Sequence, residues 1–230
     1  MKTIGLLGGM SWESTVTYYR VLNQTVKQRL GGLHSAQVLL YSVDFEQIEQ
    51  LQHQGRWTEA GEQLAAAAVR LEKGGADCLV LCTNTMHKVA DAIAPATDLP
   101  FIHIADATAQ AIQQQGLTTV GLLGTRFTME DGFYVNRLTA KGLTVLTSAA
   151  IARTTVHQII YDELCQGVVK ESSRDQYRQI IQSLVEQGSE GVILGCTEIG
   201  LLVKPEDSAV PLFDTTELHA IAAVDWALQT

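Results

Sequence analysis

Short apolar runs ending in glycine, cysteine or threonine alternate along this chain with longer segments whose apolar residues recur every three or four positions. The first pattern reads as buried parallel strands and the second as amphipathic helices covering them. Residues 3–9 form the first predicted strand, and Gly8-Gly9-Met10-Ser11 turns tightly into a helix over residues 12–30 with Ser11 as its N-cap. A second strand follows over residues 37–43, and Asp44 opens a helix that carries Gln52. The helix over residues 57–73 stops at Gly74-Gly75, ahead of a third strand at 78–82. A short helix ended by Pro95, a strand at 101–104 and a helix to about Gln115 follow. The remainder reads as a strand at 118–123, a helix at 127–140, a strand at 143–146, helices at 153–166 and 172–187, and a strand ending at Gly195. A loop at 201–211, a strand at 210–213 and a helix capped by Asp214 close the series. Alternation of this kind predicts an α/β fold with helices on both faces of parallel sheets.

The pattern repeats. Leu79-Val80-Leu81-Cys82-Thr83-Asn84-Thr85 lies without a gap on Val192-Ile193-Leu194-Gly195-Cys196-Thr197-Glu198, setting Thr83 opposite Cys196 and Cys82 opposite Gly195. Ile4-Gly5-Leu6-Leu7-Gly8 likewise matches Val120-Gly121-Leu122-Leu123-Gly124, and Phe101-Ile102-His103 matches Leu212-Phe213-Asp214. Three ordered matches at nearly one offset predict a duplicated unit. The expected architecture is two similar doubly wound parallel-sheet domains related by a pseudo-twofold axis, with the active site in the cleft between them. Residues 1–115 plus 213–230 would form one domain and residues 116–212 the other, joined by two short crossings.

Composition narrows the function. At 230 residues and 46% hydrophobic the chain can bury a full core, and a formal net charge of -9 without any Lys/Arg run argues against nucleic acid and anionic membrane as partners. No apolar run approaches the roughly 18 residues of a membrane span, and the N-terminal run is broken by glycine before it could serve as a signal sequence, so a cytoplasmic location is expected. The four cysteines have no scaffold spacing, which in a reducing compartment assigns them to core or chemistry rather than disulfides, and no metal-ligand pattern is present. A dinucleotide reading of Gly5, Gly8 and Gly9 fails on the spacing of the glycines.

The chemistry concentrates at strand ends, where open α/β sheets place ligands. Cys196 follows Gly195 at the mouth of a helix, whose dipole is expected to lower its pKa toward the thiolate. If equivalent strand ends face each other, Cys196 and Thr83 approach a bound molecule from opposite sides, as inversion of a tetrahedral carbon requires. Asn84, Thr85, Thr125, Thr197 and Glu198, with the turn at Met10 and Ser11, supply donors for a carboxylate and for the enolate-like charge formed when its α-proton leaves. Gln52 is a candidate carboxamide ligand and Arg126 a candidate carboxylate clamp. His87 reads as a structural histidine at a helix start, or as an aid to a proton relay. Cys82 should face the core, because successive strand residues point to opposite faces.

Gly8-Gly9-Met10-Ser11-Trp12-Glu13-Ser14-Thr15, Cys82-Thr83-Asn84-Thr85-Met86-His87 and Gly195-Cys196-Thr197-Glu198 resemble the motifs of the aspartate/glutamate racemase family, in its bacterial amino-acid racemase branch. The resemblance implies a cofactor-independent racemase with two α/β halves, a small amino-acid substrate of acidic type and a homodimer. It also implies a cysteine in each half. Cys196 matches the second, whereas Thr83 stands where the first belongs, a feature similar to some members of this branch. A threonine hydroxyl is too weak an acid to ionise near neutrality, so Thr83 can hand over a proton but is a poor unassisted base. Two other readings follow from the single thiol: a decarboxylase or isomerase protonating a planar enolate, and an amino-acid sensor that keeps the pocket without turnover.

Overall fold

Ile4-Gly5-Leu6-Leu7-Gly8 is buried at every position, as a strand covered on both faces must be. In the computed structural model, which describes residues 1–229, this run is β1 (Ile4–Gly8), an inner strand of a four-stranded parallel sheet. Its neighbours are β2 (Val38–Ser42) and β3 (Cys78–Leu81), with β4 (Phe101–Ile102) beyond β3. A second sheet contains β5 (Thr119–Gly124) and β7 (Gly191–Gly195) inside, β6 (Thr144–Thr147) and β8 (Leu212–Asp214) outside. The two orders, β2-β1-β3-β4 and β6-β5-β7-β8, are the same order carried by successive strands. Register agrees: Leu7 pairs with Leu81 in one sheet, and Leu123 with Leu194 in the other.

The chain divides into two units, Met1–His103 together with the chain from His219, and Ile104–Leu218. In the first, α2 (Phe45–His53) and α3 (Trp57–Lys73) supply Ile48, Leu51, Leu64 and Leu71 to one face of the sheet, packed with Leu7, Leu79 and Leu81. On the other face, α1 (Trp12–Leu30) and the alanine-rich side of α11 (Thr215–Ala227) pack Tyr18, Leu22, Ala220 and Val224 against Ile4, Leu6 and Val80. Both ends of α1 and α3 match the sequence expectation, because Ser11 caps one and Gly31 and Gly74 stop them. α4 (Ala90–Ile93) is flanked by 3-10 turns at Thr85–Val89 and Ala94–Ala96, so Pro95 stands inside a turn instead of ending the segment.

The second unit has one core, formed by α5 (Ile104–Gln114), α7 (Phe133–Ala140), α8 (Ala150–Asp162) and α9 (Glu171–Glu186) around Val120, Leu122, Val192 and Ile193. α5 belongs to this unit by its contacts. The helix expected over 127–140 is two: α6 (Arg126–Glu130) ends before Gly132, whose φ of 77° only glycine adopts without strain, and α7 restarts behind it. The expected loop over 201–211 holds the end of α10 (Ile199–Leu202) and a 3-10 turn at Pro205–Asp207, anchored where Arg174 and Arg178 bind the buried Asp207 carboxylate at 2.8 and 2.6 Å. No helix among the described residues is long and apolar enough to cross a membrane.

Candidate active site

The carboxyl end of β7 places a thiol beside a carboxylate. Cys196 leaves the strand directly after Gly195, and its Sγ donates to Glu198 Oε2 at 3.0 Å. Thr197 donates its hydroxyl to the same oxygen at 2.8 Å. All three side chains are buried, Glu198 with 2% of its surface exposed. Burial, reinforced by the negative charge of Glu198, pushes the Cys196 thiol well above its ordinary pKa. The expected lowering by a helix dipole is therefore overturned: α10 is a single turn of four residues with Glu198 as its N-cap, and a carboxylate at contact distance outweighs so short a dipole. The resting group is a thiol whose proton points at a base.

β5 brings Thr125 alongside, since Gly124 pairs with Gly195 in parallel register. Thr125 is the N-cap of α6 and accepts from the Thr128 N–H at 3.3 Å. Arg126 follows, exposed, and its backbone N–H donates to His157 Nδ1 at 3.3 Å.

In the first unit, Cys82 continues β3 and turns into the core against Ile4 and Val80, as the alternation of strand side chains requires, and burial raises its pKa far above the ordinary range. Thr83 follows, 6% exposed, and its backbone carbonyl oxygen lies 2.7 Å from His87 Nδ1. The neighbouring end of β1 carries the turn Gly8-Gly9-Met10-Ser11. Gly9 has φ 92°, and a Cβ there would lie 2.3 Å from the Val43 carbonyl oxygen, so only glycine permits this close approach to the end of β2. Ser11 accepts from the Ser14 N–H and caps α1, the counterpart of Thr125 on α6. Met10 is buried beneath the turn. Gln52, 3% exposed, reaches from α2 to donate to Met86 Sδ at 2.9 Å, which places it against the 3-10 turn that follows Thr83. Asn84 and Thr85 begin that turn, both buried.

Sheet register thus makes Thr83 and Cys196 equivalent positions, each the second residue beyond a paired leucine, Leu81 and Leu194. Thr85 and Glu198 are equivalent by the same count, so of these two equivalent positions only that of the second unit carries a carboxylate. Sequence reasoning left one group of residues unconnected: His219, whose Nδ1 lies 2.8 Å from the Tyr18 hydroxyl, belongs with His87 and His103, and nothing in the local sequence around residues 18 and 219 signals the contact.

Residues 7–223 match the family model described as Asp/Glu/hydantoin racemase. Over its full length the chain is similar to a crystal structure from Yersinia pestis assigned as an Asp/Glu racemase, with 59% identity, all of both chains covered and a TM-score of 0.93. It is similar also to an aspartate racemase homologue from Pyrococcus horikoshii OT3, with 33% identity, all of both chains covered and a TM-score of 0.87. The broad specificity amino-acid racemase RacX of Bacillus subtilis (strain 168) is 25% identical over 230 residues, 96% of each chain. The extent of the family match leads to one statement: the chain belongs to the Asp/Glu/hydantoin racemase family.

Proposed function

We propose that this protein is a cofactor-independent racemase of acidic amino acids in which Cys196 and Thr83 serve opposite faces of the α-carbon. The observation that carries the reading is the equivalence of the two positions in sheets of identical strand order, one a thiol and the other a hydroxyl. Family membership supports amino-acid racemisation, and the acidic substrate class follows the aspartate racemase homologue among its relatives.

The chemistry starts from the thiol. Transfer of the Cys196 proton to Glu198 leaves a thiolate, which takes the α-proton; the S–H bond re-forms as the Cα–H bond breaks, and its electron pair passes into the substrate carboxylate as an enolate. Backbone and side-chain donors at Met10, Ser11, Asn84, Thr85, Thr125 and Thr197 stabilise that charge, and Gln52 holds the 3-10 turn or a polar group of the substrate. Thr83 then delivers its hydroxyl proton to the other face and is reprotonated from solvent, while Glu198 releases to solvent the proton it took from Cys196, which restores the starting state. The protein acts as a homodimer in the cytoplasm.

Proton NMR in deuterated water with both enantiomers of aspartate and glutamate tests the reading. Loss of the α-proton signal with appearance of the mirror isomer, abolished in Cys196→Ala, supports it; no exchange with any of the four sinks it. A second reading has its own observation, the absence of a carboxylate at Thr85: one thiol protonating an enolate needs no base on the other side. It predicts carbon dioxide release from a substituted malonate without inversion of any amino acid.

A further inference from the structure

Three buried histidines meet in the first unit from positions far apart in the chain. His87 lies in the 3-10 turn after β3, His103 directly follows β4, and His219 lies in α11. The His87 ring is 4.4 Å from His103, 5.8 Å from His219 and 5.5 Å from Phe101, measured between centroids. Their hydrogen bonds determine the tautomers, because a carbonyl oxygen only accepts. His219 Nε2 lies 2.6 Å from the Ile102 carbonyl oxygen and so carries its proton, leaving Nδ1 to accept from Tyr18. Burial lowers the pKa of His219 to about 4, which keeps it neutral. By the same rule His87 Nδ1, 2.7 Å from the Thr83 carbonyl oxygen, is the donor. Among the described residues no group of three or more His, Cys, Asp or Glu side chains is arranged to hold a metal ion.

What the cluster supports is one peptide group. In the second unit the equivalent carbonyl, that of Cys196, accepts from the Ile199 backbone N–H at 3.1 Å in an ordinary turn. In the first unit the backbone bond falls one residue later, from His87 N–H to the Asn84 carbonyl at 3.1 Å, and an imidazole holds the Thr83 carbonyl instead. The Thr83 N–H is tied to the Leu81 carbonyl at 2.9 Å. Both sides of the Thr83 backbone are therefore held, the carbonyl side by a ring wedged against two other histidines.

We propose that His87 is the positioning residue of Thr83: its Nδ1–H, braced by His103 and His219, orients the Thr83 backbone so that the hydroxyl is aimed for proton transfer. This rests on the racemase reading, in which Thr83 serves one face of the α-carbon. Cys196 can exchange the α-proton of the enantiomer it faces without help from Thr83, whereas inversion needs both. A fault confined to Thr83 therefore separates two signals that a general loss of structure would lower together.

The test follows α-deuteration with retention and formation of the mirror isomer, for aspartate and glutamate in deuterated water, in three variants. His87→Phe keeps a ring and removes the donor; His87→Asn returns an amide N–H close to the Nδ1 position; His87→Gln places it one bond further out. Expected is a fall in inversion of about 100-fold in His87→Phe, the effect of misplacing a reacting group by about an ångström, with retentive exchange within about threefold of wild type. His87→Asn should recover most of the inversion and His87→Gln little of it. Equal losses of exchange and inversion in His87→Phe, or inversion unchanged, overturn the proposal. If His87→Phe does not fold, equal activities of the Asn and Gln variants overturn it. Wild-type protein without any exchange fails the racemase reading first and removes the proposal with it, a result distinct from any pattern among the variants.

Discussion

The Cys196 thiol donates its proton to Glu198 Oε2 across 3.0 Å, and the hydroxyl of Thr197 donates to the same oxygen. A thiol held this way is protonated at rest yet has a base in contact. On the racemase reading, ionisation of Cys196 then runs through Glu198.

Glu198→Gln keeps the acceptor oxygen and removes the ability to take a proton. We expect kcat/KM to fall by roughly 100-fold or more, the usual worth of a general base, with little change in melting temperature. Steady-state kinetics on both enantiomers, beside a thermal melt, checks this; an unchanged kcat/KM would show that Cys196 ionises without Glu198.

Thr83→Cys replaces a hydroxyl by a far stronger acid and should raise turnover, whereas Thr83→Ala should abolish inversion. Because enantiomers have equal free energies in water, kcat/KM must stay equal in the two directions for every variant, so any asymmetry in kcat will be matched in KM. Progress curves from each enantiomer test both statements, and Thr83→Cys slower than wild type would count against the facing-pair reading.

Alkylation should reveal the order of thiol reactivity. Burial pushes Cys78 up to about 12 and raises Cys82 and Cys196 as well, while Cys165 is only half buried. Iodoacetamide at neutral pH, followed by mass spectrometry of the native protein, should modify Cys165 first. Rapid labelling of Cys196 in the free protein would contradict a resting thiol.

Acid stability should carry the signature of Asp207. Burial alone would raise its pKa, but bonds from Arg174, the Lys204 N–H and Arg178 outweigh burial and lower it to about 2 from an ordinary value of 3.8. A carboxylate depressed in the folded state stabilises above its unfolded pKa, and that contribution is lost as pH falls from about 4 toward 2. Asp207→Asn should destabilise by about 1.5–3 kcal/mol at neutral pH, the range for hydrogen bonds to charged groups, and should flatten the decline between pH 4 and pH 2. Denaturant unfolding at several pH values measures it; parallel curves for the two proteins would remove Asp207 from the explanation.

Much of this was legible in the sequence because it is encoded locally. Ser11 and Gly74-Gly75 mark helix ends whatever surrounds them, and the apolar pentads of β1, β3, β5 and β7 need only their own composition. The ungapped repeat also carries the register that the sheets display, which makes Thr83 rather than Cys82 the positional counterpart of Cys196. What was missed depends on contacts or on single torsions. Gly132 splits a helix that its flanking periodicity would continue, and the turn at Pro205–Asp207 exists because two arginines of α9 reach it. The state of Cys196 was misjudged for a related reason: the helix was foreseen, but its one-turn length and the contact with Glu198 were not. His87, His103 and His219 assemble only when β3, β4 and α11 are in place.

The return of α11 to the sheet of β1 has a consequence for synthesis. The core of the second unit lies within one uninterrupted stretch, Ile104–Leu218, whereas the first unit draws Ala220, Ala223 and Val224 from residues that follow it. On the ribosome, the earlier segment must therefore wait with one face of its sheet covered by α1 alone while the later segment gathers all that its core needs. The order of birth and the order of completion are reversed, and the early half is the one exposed to proteases and chaperones.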